Sequence, residues 1–468
     1  MLFPTPAYAV LLLAVLLASW LLSSRPRAWR VMLLLAGAVF YGWFSPRLVL
    51  LLAVSAVANW AVAHGIARGH RRLLPLGVAA NLAVLAWFKY YGFFVTSVAD
   101  ALTGLGIGLH PPLLEVVLPL GISFLTFQAI SYLVEVRREI TPPSSLLDVG
   151  VWLSFFPTVT AGPITRPSEL LPQLPDGTRV RVPVGEGTWL LARGLAKKVV
   201  LASWLLTEVT DPVFGAPAVH SGPELLLGVY AYAALIYLDF SGYTDLARGS
   251  ALLLGIRLPE NFRAPYAATS VHDFWDRWHM TLSRWLRDFL FTPLAKRSRA
   301  HWWRSVAVPV LVMLLAGLWH GAAWTFVAFG AVHGVALAWE RLRREHRRAA
   351  GRPRRDTVAS RAVGRLVTFH VVCLGWVLFA SESLQQAWVL LRGLGSGWGV
   401  SLDVPALLAP LLLAVLVAQL LPERATAWSR AAYRRSGPLL QGAALGLALL
   451  LLDALGPEGV APFLYYRF

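Results

Sequence analysis

A histidine among apolar residues is a chemical candidate, because imidazole titrates near neutrality and passes protons as general base or acid. His320 stands in Gly317-Leu318-Trp319-His320-Gly321-Ala322-Ala323-Trp324, with apolar runs at residues 306–318 and 323–339 on either side. Basic segments at residues 296–304 and 341–355 bound the pair. If both face one side of a membrane, the chain enters, turns near His320 and returns. About 15 helical residues reach roughly 22 Å, so His320 would lie deep, beside glycines that permit close backbone approach. On residues alone, a core histidine bonded to a backbone carbonyl fits this spacing equally well.

A second constellation runs through Asn261-Phe262-Arg263-Ala264-Pro265-Tyr266 and on from His272 to Phe289. Trp275, Trp278, Leu282, Trp285, Leu286 and Phe289 recur at helical spacing, with His279 on their face. Asp273–Arg277 and Arg284–Asp288 form i,i+4 pairs on the polar side. The pattern predicts one amphipathic helix at the membrane surface, its tryptophans at headgroup level. A third candidate is Asp239, in Tyr237-Leu238-Asp239-Phe240-Ser241-Gly242-Tyr243. Its carboxylate could orient an imidazole or pair structurally with an arginine. His279, His320 and His333 have the ligand type for zinc, but no close pair such as H-E-x-x-H occurs and Cys373 is the only cysteine. No metal is expected, and no disulfide within the chain is possible.

The elements that must hold these residues are membrane helices. The 468 residues are 57% hydrophobic and only 14% charged, against about 25% in soluble domains. Runs at residues 7–22, 48–67, 73–95, 306–318 and 437–455 approach or reach the ~20 residues that cross a ~30 Å hydrocarbon core. The first run lacks a basic leader and reads as a span, not a cleaved signal. Residues 31–44 are short for a crossing, and residues 155–164 carry prolines and a glycine that break the helix. Broken backbone at membrane depth requires cover from protein or a water-filled cavity. The net charge of +17 falls in short basic blocks between apolar runs, which points to the positive-inside rule and not to nucleic acid. Counting arginine-dense loops as cytoplasmic puts the N-terminus and the aromatic C-terminal tail outside. Ten or eleven crossings are expected, with no internal repeat and no soluble domain.

These motifs resemble those of the membrane-bound O-acyltransferases, in the bacterial branch that includes alginate O-acetylation and teichoic-acid D-alanylation membrane proteins. The resemblance rests on Pro119-Leu120-Gly121-Ile122-Ser123-Phe124, Thr126-Phe127-Gln128-Ala129-Ile130-Ser131-Tyr132 and Ala161-Gly162-Pro163-Ile164. It continues through Arg193-Gly194-Leu195-Ala196-Lys197-Lys198, Asp239-Phe240-Ser241-Gly242-Tyr243, Pro259-Glu260-Asn261-Phe262 and Gly317-Leu318-Trp319-His320-Gly321. Such a string of motifs, in family order, runs nearly end to end. It departs after Thr292-Pro293-Leu294, where Ala295-Lys296-Arg297-Ser298 replaces the Gly-Gly-Asn-Arg turn usual in the relatives.

The resemblance implies an all-α polytopic fold around a central tunnel, a single membrane domain over residues 1–468. Residues 1–140 would be N-terminal spans, 141–360 the catalytic core and 361–468 the C-terminal spans and tail. It implies that His320 is catalytic and that His279 is the second family histidine, with Asn261, Trp319 and Asp239 near the substrate. The donor would be an acyl thioester, acetyl-CoA first, and no cofactor would be bound. A partner outside the inner membrane would carry the acyl group to a polysaccharide, with Tyr465 of the tail as a possible relay. A transporter, a flippase and a non-catalytic scaffold are the rival classes; broken repeats would mark a transporter, and none is seen.

Overall fold

A helix satisfies its own backbone hydrogen bonds, which makes it one of the two structures that can span hydrocarbon. The computed structural model describes the chain except for residues 2, 44, 109–113, 115, 176–181, 352–355, 400–402, 456–463 and 465–468. Every regular element among the described residues is helical. Pro46–Ala67, Leu73–Gly104, Gly222–Leu253, Trp303–His320 and Val358–Ala380 are long and apolar enough to cross a membrane, and Pro6–Leu21 and Leu408–Leu420 are shorter apolar helices. The expected class, an all-α multi-pass membrane protein, is the one found.

The chain divides into two compact units, residues 1–191 with 245–259 and residues 192–244 with 260–468. In the first unit, α1 (Pro6–Leu21), α2 (Pro26–Gly42) and α3 (Pro46–Ala67) each begin with proline, whose fixed φ suits the first turn and whose missing N–H costs nothing there. The short run that begins at residue 31 thus belongs to a helix that starts five residues earlier, at Pro26, and ends at Gly42. Asn81 of α4 (Leu73–Gly104) donates to Asn59 of α3 at 2.8 Å and accepts from it at 3.3 Å, so two amides pair reciprocally in an apolar setting.

At the centre of this unit lies α5 (Ile122–Arg137), buried along nearly all its length. Gly121 opens it in the left-handed region at φ 77°, where a Cβ would stand 2.3 Å from the Val159 carbonyl oxygen. The Pro-Leu-Gly-Ile motif is therefore a backbone requirement. After α6 (Leu146–Ser154) the helix breaks, as the prolines predict, and Phe155 and Phe156 are fully buried. Thr165 joins the two sides, accepting from Gln128 at 3.1 Å and from Trp152 at 3.2 Å.

The second unit holds the histidines. It takes residues up to Thr244 of α7 (Gly222–Leu253), then α8 (Val271–Trp275) and α9 (Met280–Trp285). It continues with α10 (Val308–His320), α11 (Trp324–Ala349), α12 (Val358–Ala380) and α13 (Leu408–Leu420). The continuous helix expected over 272–289 does not form. The chain leaves helical geometry after α8 and restarts at Met280, with His279 in the left-handed region at φ 42°. The cause is the Asn261–Arg263 segment, which captures that backbone: Arg263 N–H donates to Arg277 O and Met280 N–H to Asn261 O, both at 3.0 Å.

α10 and α11 pack through glycine. A Cβ on Gly317 would lie 2.1 Å from the Phe326 carbonyl oxygen, and one on Gly330 2.3 Å from that of Met313. Two helices approach this closely only where side chains are missing. Gly330→Ala is therefore expected to destabilise the protein by about 1–3 kcal/mol, read as a lower thermal unfolding midpoint in detergent. Gly92→Ala, whose new methyl meets nothing within 4 Å, should leave the midpoint unchanged or slightly raised.

Candidate active site

His320 is the last residue of α10, and the chain turns through Gly321 in extended conformation before α11 begins at Trp324. The hairpin expected from the apolar runs is present, and His320 stands at its turn. The side chain is buried, in edge-to-face contact with Trp319 (5.0 Å between centroids), Phe379 (5.4 Å) and Phe329 (5.9 Å). A Cβ on Gly321 would come within 2.0 Å of the Phe326 ring, so the close turn also requires glycine.

His279 is fully buried and sits edge-on to Phe240 at 4.8 Å and to Trp319 at 6.1 Å. Trp319 is thus the shared ring neighbour of both histidines. Asn261 holds the start of α9: its side-chain oxygen accepts from the Thr281 hydroxyl at 2.6 Å and the Thr281 N–H at 3.3 Å. That amide does the work of an N-cap from a separate segment. The strained φ of His279, uncommon for a residue with a Cβ, is over-determined by these bonds, as strain at functional sites tends to be. Both ring nitrogens of His279 and the Asn261 amide nitrogen lack partners among the described residues. Buried polar atoms without partners are rare and call for a ligand, a water or a functional reason. His279 lies outside the candidate spans, and burial pushes its imidazole down to about 3, so it stays neutral near pH 7.

Among the described residues Asp239 takes neither an imidazole nor an arginine. Its carboxylate is buried against the Lys198 ammonium, and its second oxygen accepts the Leu464 N–H at 3.1 Å. Lys198 belongs to a π-helical stretch, Ala196–Ala202, and a Cβ on Gly242 would come within 3.0 Å of the Lys198 backbone nitrogen. Leu464 is itself buried, and its N–H is thus tied to the residue preceding Phe240, which packs on His279. Tyr465 lies outside the described residues.

His333 faces the same aromatic group, stacked near Phe274 at 6.2 Å and 4.7 Å from Phe329. Trp275 donates to its Nδ1 at 3.3 Å, which occupies one of the two nitrogens a metal would use. Among the described residues no group of three or more His, Cys, Asp or Glu could hold a metal ion.

A cavity of about 590 Å³ opens beside this region. One wall is Trp275, Met280, Ser283 and Leu286, running on from His279; another is Pro309, Val312 and Met313 of the helix that ends in His320. Arg284, Arg287, Arg341, Arg344 and Arg348 line it as well. The sequence reading took the arginines of α11 as a topology signal only. Their alignment with Arg284 and Arg287 is visible only once α11 lies beside α9. Phe240, Phe329 and Phe379, which box the histidines, were missed too, since an aromatic ring in an apolar helix carries no signal of its own.

Residues 72–381, more than half of the chain, match the model of the MBOAT, membrane-bound O-acyltransferase family. The chain is similar to a probable alginate O-acetylase AlgI of Azotobacter vinelandii, 35% identical and covering 100% of both chains. It is 34% identical to a peptidoglycan O-acetyltransferase of Helicobacter pylori, over 81% of this chain and 75% of that one. A teichoic acid D-alanyltransferase of Streptococcus thermophilus is 30% identical over 58% of this chain and 69% of its own.

Two outcomes follow from this geometry. Asp239→Asn removes a buried counter-charge and should cost about 3–5 kcal/mol, read as a lower unfolding midpoint; adding Lys198→Met should restore much of it. Below its ordinary 6.5 the unfolded chain protonates His279, whereas the folded chain resists until about 3, so this residue weakens the fold on acidification across that window. His279→Gln should make the pH dependence of the midpoint shallower there. An unchanged slope would show that the imidazole is not held neutral.

Proposed function

The chain belongs to the membrane-bound O-acyltransferase family and is a multi-pass membrane acyltransferase, and on that premise we propose that His320 catalyses transfer of an acetyl group toward an extracytoplasmic polysaccharide. The observation that carries this reading is the pairing of His320 and His279 about Trp319, with buried nitrogens on His279 and Asn261 that lack partners among the described residues. O-acetylation is the activity in the names of the alginate and peptidoglycan relatives, which favours acetyl over D-alanyl.

The donor in this reading is an acyl thioester, acetyl-CoA first, entering from the cytoplasm of a bacterial inner membrane whose outer side carries the N-terminus. The arginine-lined cavity supports it: guanidinium groups suit phosphate oxygens, and the apolar wall from Pro309 to Met313 suits the uncharged arm that ends in the thioester. His320 takes the proton of an acceptor hydroxyl as its oxygen attacks the thioester carbonyl. The new C–O bond forms, the C–S bond breaks, and the thiolate leaves and recovers a proton. An acyl-histidine formed first by His320 is the covalent variant of the same transfer. Asn261 and His279 position the donor, and Trp319 forms the wall between the histidines.

Asp239 contributes by holding Leu464 through its backbone N–H. This favours a tail tyrosine, Tyr465, as the hydroxyl that receives the acyl group and hands it to an extracytoplasmic partner. Passing an acyl group through the protein avoids exporting the charged coenzyme.

Purified protein with its extracytoplasmic partner and labelled acetyl-CoA tests this. His320→Ala should lower transfer by about 10²–10⁴-fold; full retained transfer means that the histidine is not catalytic and leaves a scaffold or transporter role. Tyr465→Phe with undiminished transfer removes the relay while leaving the His320 assignment in place.

A further inference from the structure

A second cleft, of about 640 Å³, lies among Arg263, Arg277, Arg361, Arg365 and the end of α13 at Gln419–Pro422, with Asp273 and Asp356 on its rim. None of these residues enters the acyl-transfer chemistry. The four arginines and two aspartates leave the lining with a net charge of +2. Arg277 bonds Asp273 at 2.6 Å, Arg361 bonds Asp356 at 3.0 Å, and Arg263 reaches Glu260 at 3.5 Å. Arg365 is different. It bonds only the Ala267 carbonyl oxygen, at 3.3 Å, and has no carboxylate partner among the described residues. A guanidinium carries five N–H donors in a planar fork, so Arg365 has donors to spare where the lining already carries excess positive charge.

Gln419 makes the site more than a charged patch. It is 5% exposed, lines the cleft, and its amide oxygen has no partner among the described residues. That buried acceptor calls for a donor. A ligand that suits the whole cleft therefore carries an anionic phosphate for the arginines and a hydroxyl for the glutamine, as a phosphoglycerol group does.

The location decides the source. Arg361 and Arg365 lie near the start of α12, a candidate span, and Gln419 is in the last turn of the apolar helix α13, beside exposed Leu420 and Leu421. Arginines at the ends of spans sit at headgroup depth, and basic pockets between such helices bind anionic headgroups. We propose that this cleft is a binding site for an anionic membrane phospholipid, its phosphodiester held by Arg365 and its headgroup hydroxyl by Gln419.

The test is native mass spectrometry of the full chain released from detergent doped with phosphatidylglycerol or with phosphatidylcholine. The wild-type protein should retain one phosphatidylglycerol that phosphatidylcholine does not replace. Arg365→Ala and Gln419→Leu should each lose it, while their acyl transfer and elution as folded protein remain. Retention equal in the wild type and both variants overturns the site. Excess soluble glycerol phosphate should not displace the lipid; if it does, and binds alone, the cleft serves a free phosphate and the membrane source is wrong.

Discussion

The close contact of α10 with α11 at Gly317, Gly330 and Gly334 is the constraint on which the site depends. In hydrocarbon, helices gain nothing from excluding water, so association rests on van der Waals fit and on what small residues permit. Each missing Cβ lets backbone of the opposite helix approach to where a methyl would stand, a carbonyl oxygen at Gly317 and Gly330 and the Val310 Cα at Gly334. The contact fixes the turn between the helices, and the turn places His320. Phe329, one turn before His333 on α11, then packs against both imidazoles. A change at the hairpin glycines would be felt at the turn that carries His320.

The polar groups of the second unit follow two opposite rules. Lys198 and Asp239 are buried as a charge pair, and the remaining carboxylate oxygen is filled by a backbone N–H from the chain's far end. A buried charge without such cover is strongly destabilising. The nitrogens of His279 and Asn261 are buried without partners among the described residues, at a cost that natural proteins tolerate mainly where a ligand supplies the missing bonds. The contrast separates an ion pair satisfied within the protein from buried groups that still have bonds to make. Asp239 stands on the satisfied side of that contrast, with Lys198 and the Leu464 N–H on its two oxygens.

Legibility in the sequence divided along the same line. His320 was identifiable because an imidazole between glycines, inside an apolar hairpin bounded by arginines, is a local pattern. Gly121 was present in a motif whose reason, a positive φ against the Val159 carbonyl, was not. His279 was placed on a continuous helix because every apolar spacing from Trp275 to Phe289 supports one. The break there has no proline or glycine to announce it. It arises from Asn261, eighteen positions earlier, whose backbone and amide outcompete the local helix.

What the residues determined by themselves is the solvent they fold in, the helical class and the turn that carries His320, because apolar runs, charged blocks and glycine act over a few neighbouring positions. The tertiary structure alone decided that Trp319 touches both imidazoles, that Lys198 pairs with Asp239, and that arginines from α9 and α11 share one cavity. Those facts depend on which helix faces face each other, and that is settled by close packing across elements far apart in the chain, which no periodicity along it records.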